Sequence, residues 1–232
     1  MTAEPVEVER SEIEWRPLSL GEAAAVHALH MAAVAKVGRP DLIRPETLEF
    51  FEKILAGGGR ILGLDDDRGL LAYGVLQWDL PPVEDLRPLF GLAPDAPFAK
   101  LAGAAVRPDS WGHGLQESVI SARLNLATSL GLTHLYATSA PGNWRSWANL
   151  LNQGLVIRAL IEQYGGALRY ILYRDLDHLD ATSQDGGVWV DAADTDRQRH
   201  LLAAGRCGCA WRRAGGRAFD LLYSQRQERI GD

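Results

Sequence analysis

The spacing of apolar positions changes several times along the chain, and each change marks an element. Residues 13–18 read as a first strand closed by Pro17, and Ser19 then caps a helix whose apolar set is Ala23, Val26, Leu29 and Ala33. Gly38-Arg39-Pro40 breaks that helix, Pro45-Glu46-Thr47 starts another with Leu48, Phe51 and Leu55 at helical spacing, and Gly57-Gly58-Gly59 ends it. Two apolar runs, 61–64 and 70–78, flank Asp65-Asp66-Asp67-Arg68-Gly69 as a hairpin. A proline-rich crossing to Pro97 follows, then an apolar run at 101–106 and a helix over 115–130 with Leu115, Val119, Ala122, Leu126 and Leu130 on its apolar side. A strand at 134–139, a helix opening near Asn143 and a hairpin of 156–163 with 167–175 come next. The remainder holds a linker at 184–187, a short strand at 188–190, a helix over 197–204 begun at Asp194-Thr195-Asp196, and a hairpin of 207–213 with 218–224.

Candidate chemistry concentrates where the strand 101–106 gives way to the helix at 115, through Val106-Arg107-Pro108-Asp109-Ser110-Trp111-Gly112-His113-Gly114. The start of a helix leaves about four backbone N–H groups unpaired and carries partial positive charge, so a turn without side-chain bulk lets an anion rest on those donors. Glycine serves twice here, by letting backbone approach the ligand and by reaching positive φ without strain. A phosphate or pyrophosphate is the natural occupant, and an ordinary tight turn is the alternative. Two nucleotide-binding patterns fail: Glu117 stands where a Rossmann turn needs its third glycine, and Leu115-Gln116 stand where a P-loop needs Lys-Ser/Thr.

The segment resembles motif A of the Gcn5-related N-acetyltransferase (GNAT) superfamily, V-x-P-x-x-R-G-x-G, through Val106, Pro108, Gly112 and Gly114; Trp111 replaces the usual arginine and Asp109 the usual glutamine or arginine. A second segment, 143–155, resembles the family's N-x-x-A-x-x-L-Y-x-x-x-G-F helix through Asn143, Ser146, Gly154 and Leu155, but the family's tyrosine, frequently the acid that protonates the departing thiolate, falls on Leu150. The resemblance covers residues 12–176 and implies the order β-α-α-β-β-β-α-β-α-β-β, an α/β (α+β) GNAT fold whose central mixed, mostly antiparallel sheet is flanked by helices. It implies a GNAT domain at 1–180 and leaves 181–232 as a small C-terminal β-α-β-β extension, too small to enclose Trp189, Trp211, Phe219, Leu221 and Tyr223 by itself. The extension is therefore expected to dock on the main sheet or on a second copy, which makes a homodimer an expectation.

Composition narrows the partners. With 47% apolar and 23% charged residues in 232, and a formal charge of -6, the chain is an ordinary globular mix that lacks the basic surplus nucleic acid or anionic membrane requires. No apolar run nears the roughly 18 residues of a membrane span, and the first ten residues read as a loose acidic tail, so a cytoplasmic enzyme is expected. Cys207 and Cys209, two apart in a strand, read as inert thiols, and no metal site is expected because His200 alone does not complete a ligand set. His27 and His30 share a helix face and read as packing or surface residues.

The resemblance implies acetyl-CoA as cofactor and direct attack of an amine on its thioester. It places the cofactor against Ala105, Val106, Trp111, Gly112, His113, Gly114, Leu115, Asn143 and Ser146, with the Val106 N–H as the donor to the thioester carbonyl. For the base, Asp79 comes first and Glu84 or Asp85 after it; for the acid, Ser139, solvent, Tyr136 or Tyr164. Arg39, Arg44, Glu46 and Glu49 lie where the family builds one wall of its acceptor site, although a solvated helix face explains them equally. The expected activity is N-acetylation of a small-molecule amine or amino acid. Transfer of longer acyl groups from acyl-CoA or acyl carrier protein, and a non-catalytic acyl-CoA-binding module, are the alternatives.

Overall fold

A computed structural model describes residues 14–178, 186–216 and 218–225. Its helices start and stop on the expected punctuation. α1 (Ala23–Val37) ends on Gly38 at φ 62°, whose N–H bonds to the Val34 carbonyl, and α2 (Leu48–Lys53) begins where the Thr47 hydroxyl accepts the Phe50 N–H. α1 buries Ala23, Val26, Leu29 and Ala33 as the spacing predicts, with His30 added to the same face.

The first strand is shorter than expected: β1 is Arg16–Pro17, paired with β2 (Gly59–Asp66) through Arg16 and Gly63. β3 (Gly69–Gln77) and β4 (Phe98–Val106) follow, then α3 (Leu115–Ser129), β5 (His134–Ser139), α4 (Trp144–Asn152), β6 (Val156–Gln163) and β7 (Ala167–Asp175). β8 (Val188–Asp191), α5 (Thr195–Ala203), β9 (Arg206–Gly215) and β10 (Ala218–Gln225) form the extension. Among the described residues ten strands make one sheet in the order β1-β2-β3-β4-β5-β7-β6-β9-β10-β8, and β4 with β5 is its parallel pair. That is the mixed, mostly antiparallel sheet expected. The crossing between β3 and β4 is not loose, since Leu80, Leu86, Phe90 and Leu92 pack on Phe98, Tyr136 and Ile171.

The apolar side of α3 differs from the expectation. Its buried residues are Val119, Ile120, Arg123, Leu124 and Ala127, so the helix is rotated away from the Leu115–Ala122–Leu126–Leu130 line and Leu130 is exposed. The reason is Arg123: a charged residue hides the true stripe until its three hydrogen bonds, to the carbonyls of Val119 (3.1 Å), Val75 (3.1 Å) and Ala102 (3.2 Å), explain why it is inside. Gly74 stands opposite Ala104 while Leu76 stands opposite Leu101, so β4 carries one extra residue there. Such a bulge bends and twists its strand. β4 pairs with β5 only through Phe98–His134, Ala99–Leu135 and Lys100–Tyr136, and the two strands then part.

The extension joins the same sheet. β9 meets β6 where Ile157 faces Gly208, and the Ile157 side chain lies 3.1 Å from where a β-carbon on Gly208 would be. Val190, Phe219, Leu221 and Tyr223 share one core with Trp147, Ile157 and Tyr170, so the apolar residues behind the dimer expectation are largely covered within the chain. Gln198 of α5, fully buried, accepts hydrogen bonds from the Tyr170 (2.7 Å) and Tyr223 (3.0 Å) hydroxyls, fastening β7 to β10. The expected domain boundary at 180, half of the linker 184–187 and the tail 1–10 lie outside the described residues, and sheet and core continue on both sides of that boundary. Cys207 and Cys209 are unbridged, with Cys207 buried.

Because core and sheet are shared, Leu221→Ala is expected to lower stability by about 2–5 kcal/mol through the cavity it leaves, with one urea transition seen alike by tryptophan fluorescence and far-UV circular dichroism. Two separated transitions would mean that the extension folds as its own unit.

Candidate active site

β4 hands the chain to α3 through a turn whose geometry requires its glycines. Gly112 has φ 90° and Gly114, the residue capping α3, has φ 77°; a β-carbon at either would have no described atom within 4 Å. Backbone conformation, not crowding by protein, selects glycine here, and the space beyond is open to a ligand. α3 runs for 15 residues, and its first free N–H groups face that space.

The residues that depart from the family pattern have structural work in the turn. The Asp109 carboxylate accepts from Arg68 (2.8 Å), Arg107 (3.2 Å) and Ser110 (2.9 Å), Arg107 also pairs with Asp66, and these arginines hold both carboxyls below the usual range. The Arg68–Asp109 contact is solvent-exposed and fixes conformation more than it adds stability, while the Arg107–Asp66 pair is half-buried. The Trp111 indole N–H donates to the Val106 carbonyl at 2.7 Å, and His113 Nδ1 lies 3.1 Å from the Ser110 carbonyl.

The Arg107 N–H donates to the Leu71 carbonyl of β3 at 2.8 Å. Successive residues of an antiparallel strand point their N–H groups in alternate directions, so those of Ala104 and Val106 face the side β5 has left. The Val106 N–H, the expected donor, thus borders that side together with the Ala104 N–H, and the Ala105 N–H is turned toward β3. On the other wall, Asn143 opens α4 past the end of β5, its side-chain oxygen accepting the Ser146 N–H at 3.4 Å. Leu115 begins α3 half-buried. The expected cofactor residues therefore surround one parting of the sheet.

At the opposite end of the parting the side chains are charged. Lys100, the last β4 residue paired with β5, is buried and places Nζ 2.6 Å from the Glu84 carboxylate and 3.0 Å from the Tyr164 hydroxyl, itself 3.2 Å from the Thr138 hydroxyl of β5. Burial alone would lower the Lys100 pKa, but Tyr164 and Glu84 outweigh it and hold the ammonium above its ordinary value. The Tyr136 hydroxyl donates to the Glu84 carbonyl at 2.6 Å, and burial raises its pKa. Arg44 lies 4.9 Å over the Tyr164 ring, and Leu42 nearly touches Gly142, so residues 39–47 cross above these groups.

His30 ties that loop down. Its Nε2 accepts the Glu46 N–H (2.9 Å), which leaves the proton on Nδ1, 2.8 Å from the Tyr73 hydroxyl oxygen. Burial, reinforced by His27, lowers its pKa to about 4. The expected role of His30 as a packing residue thus acquires a purpose. Asp79, by contrast, is exposed beyond the end of β3 and pairs with Lys53 at 3.1 Å, and Asp85 pairs with Arg87 at 2.8 Å. Ser139 is buried with its hydroxyl on the Ala140 carbonyl at 3.4 Å, and Leu150 is part of the core. Lys100, Tyr73 and Arg123 escaped the sequence reading; the available signal was a charged residue interrupting an apolar stripe, at 100 beside the run 101–106 and at 123 within α3. Among the described residues no cluster of potential ligands could hold a metal ion, and no helix is long and apolar enough to cross a membrane.

No family model and no curated protein matches the sequence. Solved structures do match the fold. They include yncA of Salmonella typhimurium, assigned as an acetyltransferase and solved with its cofactor acetyl-CoA (TM-score 0.55, 18% identity, covering 75% of this chain and 99% of that one). An acetyltransferase of the GNAT family from Streptococcus pneumoniae gives a TM-score of 0.52 at 14% identity, covering 70% of this chain and 98% of its own. A ribosomal-protein-alanine N-acetyltransferase from Brucella melitensis gives 0.51 at 17%, covering 70% and 99%. The chain has the GNAT fold, with an extension carrying three more strands.

The His30 geometry sets a pH dependence. The imidazole is neutral when folded, with its pKa depressed to about 4, whereas in the unfolded chain it takes a proton near pH 6.5. The unfolded state then binds more protons between those values, so stability falls as pH drops from about 6.5 toward 4. Urea titrations across that window should show the slope in the wild type and a shallower one in His30→Gln; equal slopes would remove His30 as its source.

Proposed function

We propose that this chain is an acetyl-CoA-dependent N-acetyltransferase that acts by direct attack of an amine on the thioester. The observation that carries the reading is the parting of β4 from β5 after Lys100 and Tyr136, directly joined to a positive-φ glycine turn that opens α3. The residues fit the cofactor: open space stands over Gly112 and Gly114 for a pyrophosphate, and the N–H groups of Ala104 and Val106 border a slot where a pantetheine would extend as a strand does. Bound acetyl-CoA supplies an activated acetyl group as a thioester.

The chain's own part is positioning and proton handling. Gly112, His113, Gly114 and Leu115 present backbone donors to phosphates, Val106 or Ala104 donates to the thioester carbonyl, and Asn143 and Ser146 form the far wall. The charged cup of Glu84, Lys100, Tyr164 and Thr138 receives the amine. A small-molecule amine or amino acid is the acceptor we favour; the ribosomal-protein-alanine enzyme among the structural neighbours makes a protein α-amine the one to test beside it. A non-catalytic acyl-CoA-binding module is the second reading, favoured by the burial of Leu150 in the core.

Gly112→Val and Gly114→Val should each weaken acetyl-CoA binding about tenfold or more, since a side chain forced to positive φ costs roughly 1–2 kcal/mol before it meets the ligand. Isothermal calorimetry with unchanged affinity in both variants would sink the cofactor assignment. Release of free thiol from acetyl-CoA with a panel of amino acids, polyamines and alanine-initiated peptides tests the activity itself. If Ser139 protonates the thiolate, Ser139→Ala should lower kcat with little change in KM; an unchanged kcat removes it.

A further inference from the structure

The geometry points to Glu46 as the base that takes the proton of the acceptor amine, with His30 as the residue that positions it, an inference that rests on the acetyltransferase reading above. Glu46 lies in the loop that crosses the parting of the sheet, two residues before α2, and its N–H is pinned on His30 Nε2 at 2.9 Å. The carboxylates first expected as the base each hold a cation: Glu84 has Lys100 at 2.6 Å, Asp79 has Lys53 at 3.1 Å, and Asp85 has Arg87 at 2.8 Å. Among the described residues none bonds to or pairs with the Glu46 carboxylate, although it is half-buried.

The groups around it come from every neighbouring element. Arg44 approaches from its own loop, Lys100 from β4, Glu84 from the β3–β4 crossing and Tyr73 from β3, while His30 stands beneath on α1 and Tyr164 beyond Lys100. Burial raises the Glu46 pKa, Arg44 and Lys100 oppose it, and Glu84 adds to it, leaving the carboxyl above its usual range. A carboxylate so tuned is a stronger base near neutral pH than an exposed one. The tautomer of His30 matters as well. With Nε2 accepting from Glu46, Nδ1–H donates to the Tyr73 oxygen, so the buried Tyr73 hydroxyl keeps its own proton free to donate, and it lies 3.6 Å from where a β-carbon on Gly103 would be, at the β4 bulge. Base and bulge are thus fixed relative to each other through one imidazole.

In the reaction, the Glu46 carboxylate takes one proton from the acceptor ammonium, and the freed nitrogen pair attacks the thioester carbonyl carbon. The C–N bond forms, the nitrogen gives up its second proton to solvent, the C–S bond breaks, and the leaving thiolate takes a proton from solvent. The products are the amide and coenzyme A, and one proton returns to the medium when Glu46 reionises.

The test uses the full chain, acetyl-CoA, and either an alanine-initiated peptide or water alone as acceptor. Glu46→Gln should bind acetyl-CoA as the wild type does in calorimetry, yet lose about 10²–10⁴-fold in kcat/KM by thiol release. The wild-type rate should fall as pH drops through the Glu46 pKa, and that acid limb should vanish in Glu46→Gln and return in part with Glu46→Asp. His30→Gln should lower kcat but keep the acid limb. Intact acetyl-CoA binding with an unchanged rate and acid limb in Glu46→Gln overturns the assignment, as does a wild type that binds acetyl-CoA and releases no thiol with either acceptor. A wild type that fails to bind acetyl-CoA overturns the acetyltransferase reading first, and this inference with it.

Discussion

The guanidinium of Arg123 at the β4 bulge is the contact on which the site depends. It is buried and is satisfied by three backbone carbonyls, Val119 on its own helix, Val75 on β3 and Ala102 on β4. Burial lowers its pKa to about 10, which leaves it charged at neutral pH. A buried cation resting on carbonyl dipoles is costly unless every hydrogen bond is made, so its presence fixes the spacing of β3, β4 and α3 together. Gly74 makes the arrangement possible, since a β-carbon there would lie 2.5 Å from Val119 Cγ2 and 2.8 Å from Arg123 Nε. The extra residue that Arg123 braces turns β4 away from β5, and the slot proposed for the cofactor is the space that results.

The two ends of that slot are held by different physics. At the end proposed for the phosphates most of the residues are exposed, the ion pairs of Arg68 and Asp109 are individually weak, and conformation is set by glycine φ values and the Trp111 bond to Val106. At the acceptor end Lys100, Glu84 and Tyr136 lie in low-dielectric surroundings, where each polar group has to be partnered. An open, screened end suits a highly charged ligand that arrives from water. A dry, preorganised end suits the place where charge moves in the reaction.

What was legible in the sequence was what the local chain decides. Gly38, Thr47, Asn143 and Asp194 cap helices where the residue types predict, the hairpin turns lie at their glycines, and Gly112 and Gly114 take the positive φ that their pattern implies. The charged interior was not legible, because it depends on partners distant in the chain. Arg123 reads as an interruption of a helix stripe until β3 and β4 supply its acceptors. Glu46 reads as one of four charges on an acceptor wall or a solvated helix face until His30 and Lys100 are seen beside it, and Asp79 reads as a base until Lys53 meets it outside the slot.

The leucine at position 150 follows from the extension. α4 buries Trp147, Ala148, Leu150 and Leu151, close to half of its circumference and wider than the single stripe of a surface helix, because β5, β6 and β7 take one part of it and β9 another. Trp211 of β9 bonds Asn152 at 2.9 Å, and Trp144 stacks on Phe219 of β10 at 4.6 Å, so the extension closes over this helix. A tyrosine at 150 would bring a hydroxyl into that enclosed core, where an unpaired polar group costs about 1–3 kcal/mol. Covering α4 and keeping a tyrosine acid on it are therefore opposed. In the proposed reaction the covering prevails at little chemical expense, since a thiolate is a good leaving group and needs its proton less urgently than the amine needs a base.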